Sequence, residues 1–214
     1  GTGGLVTGVS SGTANLTYTV VPGCATSAVF TVNAVPAAFA VTGTGSYCAS
    51  GGGLPVGISG SEAGVTYHLY NGASLEGTFT GTGAVMVFGA YTAATTYTVQ
   101  ATNLLLCSTA MTGNATITIL PMVTPDVTIS STPGDTVCSG TAVTFNASPV
   151  NGGTSPVFVW RINGAQVGTG NTYNYTPANG DWVQVTLISD EACPSPSQVS
   201  DNLTMVVIPS LSPA

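Results

Sequence analysis

A beat of 85 to 88 residues constrains this chain more than any other feature. Three segments each close with a short β-branched run and a proline: Phe30-Thr31-Val32-Asn33-Ala34-Val35-Pro36, Thr116-Ile117-Thr118-Ile119-Leu120-Pro121 and Thr204-Met205-Val206-Val207-Ile208-Pro209. The prolines stand 85 and 88 residues apart, and the cysteines keep the same time. Cys24, Cys107 and Cys193 precede those prolines by 12, 14 and 16 residues, while Cys48 and Cys138 follow the first two by 12 and 17. A fixed spacing of this kind is the mark of repeated structural units. Two complete units are expected, over 37–121 and 122–209. Residues 1–36 read as the closing part of a truncated unit, and 210–214 as the start of the next one or a linker. Both ends read as cut, so the chain is expected to be a window on a longer array.

Within a unit the periodicity is two, not 3.6. Leu16, Tyr18 and Val20 alternate with Asn15, Thr17 and Thr19; Tyr97, Val99 and Ala101 with Thr96, Thr98 and Gln100; Val183, Val185 and Leu187 with Trp182, Gln184 and Thr186. These stretches hold the same place in each unit and read as one half-buried strand type. Asn71-Gly72, Asn151-Gly152, Asn163-Gly164 and Asn179-Gly180 supply turn signals with left-handed backbone positions. No ten-residue stretch carries a capped helical stripe. In the last unit, strands are expected near 127–131, 141–147, 157–162, 172–176, 182–189 and 199–208. Six or seven short strands in under 90 residues predict an all-β fold, with tandem immunoglobulin-like antiparallel β-sandwich modules in an extended array. Trp160 is expected in the core with Phe158 and Ile162.

Composition narrows the function. The chain has eight acids, one arginine (Arg161) and no lysine, yet an ordinary apolar share of 43%, so Gly, Thr, Ser and Asn replace the missing charge. One arginine cannot neutralise a row of phosphates, which excludes nucleic acid as a partner. No apolar run approaches the roughly 18 residues of a membrane helix. Isopeptide cross-links need lysine and are ruled out. A single histidine, His68, leaves little material for a hydrolytic triad, and no enzyme is expected.

Two further stretches carry a resemblance. Ser46-Tyr47-Cys48-Ala49-Ser50-Gly51-Gly52 with Gly64-Val65-Thr66-Tyr67-His68-Leu69-Tyr70-Asn71-Gly72, and Val137-Cys138-Ser139-Gly140-Thr141-Ala142-Val143-Thr144-Phe145 with Tyr175-Thr176-Pro177-Ala178-Asn179-Gly180-Asp181, resemble a repeat of very large Bacteroidota surface proteins. Leu5 to Val20 is similar to the closing part of bacterial Ig-like repeats. The resemblance implies an extracellular, cell-surface setting, export by the type IX secretion route, and a structural role in adhesion. The expected function is a stalk segment of a large adhesin or filament, stapled by disulfides and able to self-associate. Its expected partners are neighbouring modules, further copies in a filament or bundle, and a surface glycan or another cell. The alternative is a carbohydrate-binding module, with Tyr70, Tyr91, Tyr173 or Trp182 as a sugar-stacking platform. Asp135-Thr136-Val137 matches the short O-glycosylation motif that the resemblance implies, making Thr136 the candidate site.

Five cysteines in a lysine-free β chain indicate an oxidising compartment. Spacing favours pairs within modules, Cys48–Cys107 and Cys138–Cys193, at 59 and 55 residues. Strand order opposes them. Cys48 and Cys138 precede the second strand, whereas Cys107 and Cys193 follow the sixth, and in an Ig sandwich those turns lie a strand length apart, about 20 Å. A disulfide requires Cα atoms within about 7 Å. The preferred pair is therefore Cys48–Cys193, between modules, with Cys24, Cys107 and Cys138 bonded to residues outside the chain; the within-module pairs are the alternative. No C-x-x-C pair exists, so no metal site is expected from the cysteines. Structural calcium has candidate ligands in Asp190-Glu191 and Asp126, but no D-x-D-x-D pattern, and solvated turn acids are the plainer reading. No cofactor is expected. Asn15, Asn114, Asn146, Asn174 and Asn202 match N-x-S/T, which carries little weight in a bacterial chain.

Overall fold

The period-two stretches fold as strands throughout the computed structural model, which describes residues 5–210 and holds no helix among them. Strand β1 (Gly12–Val21) turns through Pro22-Gly23 into β2 (Cys24–Val32), an antiparallel hairpin whose described residues are almost all exposed. The chain divides into two compact units. One runs to Tyr47 and resumes over Gly51–Ile119; the other takes Cys48–Ser50 and the chain from Leu120 onward.

The first unit holds β3 (Val41–Thr42), β4 (Gly45–Cys48, whose last residue is grouped with the second unit), β5 (Leu54–Ile58), β6 (Thr66–Asn71), β7 (Ser74–Thr80), β8 (Met86–Tyr91), β9 (Thr96–Thr102), β10 (Ser108–Ala110) and β11 (Ala115–Leu120). One sheet runs β3-β5-β8 and the other β4-β11-β9-β6-β7, with β10 added on β9. Their inner faces meet in a core of Val56, Ile58, Tyr67, Leu69, Phe88, Tyr97, Val99, Ala101 and Ile117. On β9, Tyr97, Val99 and Ala101 are buried and Thr96, Thr98 and Gln100 exposed, which is the alternation read from the sequence. The buried Tyr67 hydroxyl accepts a hydrogen bond from the Glu62 N–H at 2.9 Å, satisfying its polar end. Between β3 and β4 the chain crosses from one sheet to the other at Gly43, whose φ is +114° and where any Cβ would run into the Pro55 carbonyl.

The second unit repeats the plan with β12 (Asp126–Thr132), β13 (Thr136–Cys138), β14 (Val143–Val150), β15 (Val157–Ile162), β16 (Ala165–Thr169), β17 (Thr172–Tyr175), β18 (Trp182–Ile188), β19 (Gln198–Thr204) and β20 (Val206–Ile208). One sheet is β12-β14-β17 and the other β16-β15-β18-β19, while β13 pairs in parallel with β20. In the lettering of the immunoglobulin fold these are A-B-E against C′-C-F-G, with the continuation of A beside G. Each unit is an Ig-type sandwich.

Trp160 is fully buried on β15, with Phe158 also in the core and Ile162 half-buried at its edge. Its indole N–H donates to the Gly170 carbonyl at 2.8 Å. Many Ig domains set a disulfide against this tryptophan. Here Phe145 of β14 lies 6.2 Å from it, ring to ring, and Val185 of β18 is its cross-strand partner. Hydrocarbon fills the place of sulfur.

The structure adds two strands that the sequence reading passed over. Asn163 (φ +50°) and Gly164 (φ +85°) are the central pair of a two-residue turn that folds β16 back onto β15. The three-residue β13 forms only because β20 offers it a parallel edge. The last expected strand, 199–208, is interrupted at Met205, which is fully buried between β19 and β20.

Truncating Phe145 to alanine should cost the second unit about 3–5 kcal/mol, the usual range for a buried aromatic. The measurement is the urea midpoint of tryptophan fluorescence, since both tryptophans, Trp160 and Trp182, lie in that unit; an unchanged midpoint would contradict the packing described.

Candidate functional site

The five cysteines occupy two kinds of position. Cys48 and Cys138 each end a short strand, β4 and β13. In each case the next residue donates its N–H to the carbonyl just before the closing proline: Ala49 to Leu120 at 2.9 Å and Ser139 to Ile208 at 2.8 Å. Cys107 and Cys193 each lie in the turn that follows the sixth strand of the fold, β9 and β18. One pair is bonded: Cys48 to Cys193, with Cα atoms 5.6 Å apart and a sequence separation of 145. Cys193 is buried, and its carbonyl accepts from the Val123 N–H at 3.0 Å while Ser195 donates back to the Val123 carbonyl at 2.8 Å. Cys24 and Cys138 are exposed free thiols and Cys107 a half-buried one, so the within-module alternatives are not formed.

The acids are held by the backbone instead of facing one another. Asp190 accepts from the Ser155 N–H through both carboxylate oxygens, at 3.1 and 3.0 Å. Asp126 accepts from the neighbouring Val127 N–H. Asp201, on β19, reaches across to the Ile129 N–H of β12 at 2.8 Å and so ties the edges of the two sheets. Among the described residues no three His, Cys, Asp or Glu side chains converge as a metal site. The candidate calcium ligands Asp190, Glu191 and Asp126 are therefore not gathered into one site, and Asp190 and Asp126 stand exposed while accepting from backbone N–H groups.

Asp181 organises a network that sequence reasoning missed. It accepts from Asn163 Nδ2 and from the Ala178 N–H, both at 2.9 Å, and from the Tyr175 hydroxyl at 3.3 Å. Burial, followed by the Asp181 charge, holds the Tyr175 pKa well above its ordinary value. Burial likewise raises Tyr91 and Tyr97, with Glu76 adding to it.

Within each unit the candidate rings lie on different sheets, Tyr70 on β6 and Tyr91 on β8, Tyr173 on β17 and Trp182 on β18. Tyr91 stacks near Tyr97, with centroids 4.9 Å apart, and Tyr173 near Trp160 at 6.2 Å, so both belong to core clusters. Tyr70 is half-buried on β6 beside His68, at 6.5 Å, and Trp182 on β18 is 37% exposed. His68 faces away from the core between buried Tyr67 and Leu69, within 3.2 Å of the Thr78 hydroxyl. Arg161 donates to the Thr186 hydroxyl at 3.1 Å. Thr136 lies exposed on β13.

Against known proteins, residues 36–121 match the family described as "Ig-like domain CHU_C associated", a Bacteroidota-type Ig domain. No curated protein matches the chain. Three solved structures are also matched. The fibronectin(III)-like modules of Clostridium thermocellum CbhA are 17% identical over 79% of this chain and 94% of theirs, with a TM-score of 0.35. The three N-terminal domains of the bacteriophage RB49 outer capsid protein Hoc are 12% identical over 79% of this chain and 59% of theirs, at 0.32. The four N-terminal Ig domains of Dscam1 are 10% identical over 67% of this chain and 37% of theirs, at 0.30.

Two outcomes follow from these contacts. Trypsin acting on the unfolded, alkylated chain can cut only after Arg161, and the two pieces should stay joined until reduced. Cys48→Ser should separate them without reductant, whereas Cys138→Ser should not; non-reducing electrophoresis reads the difference. Second, burial and the Asp181 charge raise the Tyr175 pKa in the folded chain above its unfolded value of about 10. A tyrosine whose folded pKa lies above its unfolded one stabilises the fold fully below about pH 10, and that contribution is lost as pH rises toward the folded value. The second unit should therefore lose stability above about pH 10, with a shallower slope in Tyr175→Phe, measured by urea unfolding across that range.

Proposed function

We propose that the chain is a structural segment of an extracellular, surface-anchored adhesin or filament, a stalk that carries tension and performs no catalysis. The observation that carries this reading is the covalent route through the molecule. With Cys48 bonded to Cys193, a pull on the two ends passes from the end of β4 across the disulfide and leaves along β19 and β20. Strands β4, β19 and β20 on that path are already extended. The residues between the two cysteines lie outside the load path, and the cores built from them are spared.

The neutral surface suits such a role. One basic residue gives trypsin-like proteases a single target, and Arg161 lies in β15, paired on both sides by β16 and β18. Thr-rich outer faces with little charge change little with salt and allow copies to lie side by side. The family matched over 36–121 and the oxidised cysteines agree with an exported, cell-surface setting. Thr136 stands accessible for the proposed O-linked sugar.

Single-molecule pulling tests the load path. Adding reductant should lengthen the fully unfolded chain by about 500 Å, the reach of 145 residues at about 3.5 Å each. Cys48→Ser should show that length without reductant. A contour length indifferent to reductant would end the proposal.

A further inference from the structure

The hairpin β1–β2 carries an apolar face that nothing in the described residues covers. Its register places Ala14 opposite Phe30, Leu16 opposite Ala28 and Tyr18 opposite Thr26, so Leu16, Tyr18, Phe30 and Val32 share one side, with Thr13, Asn15, Thr17, Ser27 and Val29 on the other. Leu16 is 45% exposed, Tyr18 62% and Phe30 44%. The matching positions in the complete sandwiches, Tyr97, Val99 and Ala101 on β9 and Val183, Val185 and Leu187 on β18, are 3% exposed or less. The face runs on into a hollow lined by Val6, Ala14, Phe30 and Val32. A two-stranded hairpin with a bare apolar side is marginal in water by itself.

We infer that this face is the inner surface of a third sandwich, and that its occupant is an opposing sheet of the same module class supplied by a covalently continuous upstream segment. Two arguments choose that occupant. The two complete units show what covers these positions: in the second, β12-β14-β17 presents Phe145 and Tyr175 to Val183, Val185 and Leu187 in one core. Area then argues against a second copy. Two strands of nine or ten residues offer a footprint of about 30 Å by 10 Å, well short of the roughly 800 Å² per partner of a stable interface. A tethered sheet escapes that requirement, because its effective concentration is millimolar or higher. The completed module sets Cys24 in the same turn as Cys193, the cysteine that takes the staple in the second unit. The inference needs only the module class and stands whether or not the protein bears load.

Hydrogen exchange read by mass spectrometry tests it, on this chain and on one extended upstream in its natural reading frame by 60 residues, the length of 122–181 that precedes β18. In the 214-residue chain, β1–β2 amides should exchange at least a hundredfold faster than those of β9 and β18, and the hairpin should bind the dye ANS, with binding reduced in Leu16→Thr/Phe30→Thr. In the extended chain the hairpin should become as protected as β9, and the dye signal should fall. Three results would overturn the inference: hairpin protection equal to β9 in the monomeric 214-residue chain; a dimer in sedimentation that Leu16→Thr/Phe30→Thr abolishes; or no gain of protection on extension.

Discussion

Burial of every second residue between two sheets is the constraint on which each unit rests. The chain has almost no ion pairs to draw on, so cohesion comes from apolar area and from backbone ladders. At about 25 cal/mol per Å² of apolar area, a buried Leu, Val or Phe contributes roughly 1.5–3 kcal/mol. The second unit concentrates this in Phe145, Trp160, Val183, Val185, Leu187 and Met205, all at 0% exposure. The first does so with Val56, Ile58, Tyr67 and Leu69. Polar side chains play a subordinate part by sealing edges, as Asp201 does at β12 and Asp181 beside Tyr175.

The disulfide acts on a different scale. Closing a loop of 145 residues removes about 5 kcal/mol of conformational freedom from the unfolded chain in the chain-entropy description. The Trp160 pocket is complete without sulfur, which frees the cysteines to serve at strand ends and turns.

Much of this was legible in advance because strand alternation is local. Val183, Val185 and Leu187 announce an inward face without knowledge of what they meet, and Asn163-Gly164 marks a turn. The choice of Cys48–Cys193 over closer partners in sequence followed from which turns share an end of a sandwich. What sequence left hidden was non-local. Strand β13 is held by its partner β20, and β16, Ala165-Gln166-Val167-Gly168-Thr169, is a short strand with no buried face to reveal it. Tyr91 and Tyr173 pass for surface rings until Tyr97 and Trp160 appear beside them. The acids looked free because a carboxylate that caps a distant N–H, as Asp190 does for Ser155, has no signature in the residues around it.

The parallel pairing of β13 with β20 has a mechanical corollary. The hydrogen bonds that fasten β19 to β18 lie at right angles to its axis, and those from β20 to parallel β13 slant across it. A pull that drew this edge along its axis past its neighbours would strain those bonds together, as in a glued lap joint, and no single rung would yield first as in a zip. A strand held that way slips only when the whole seam fails.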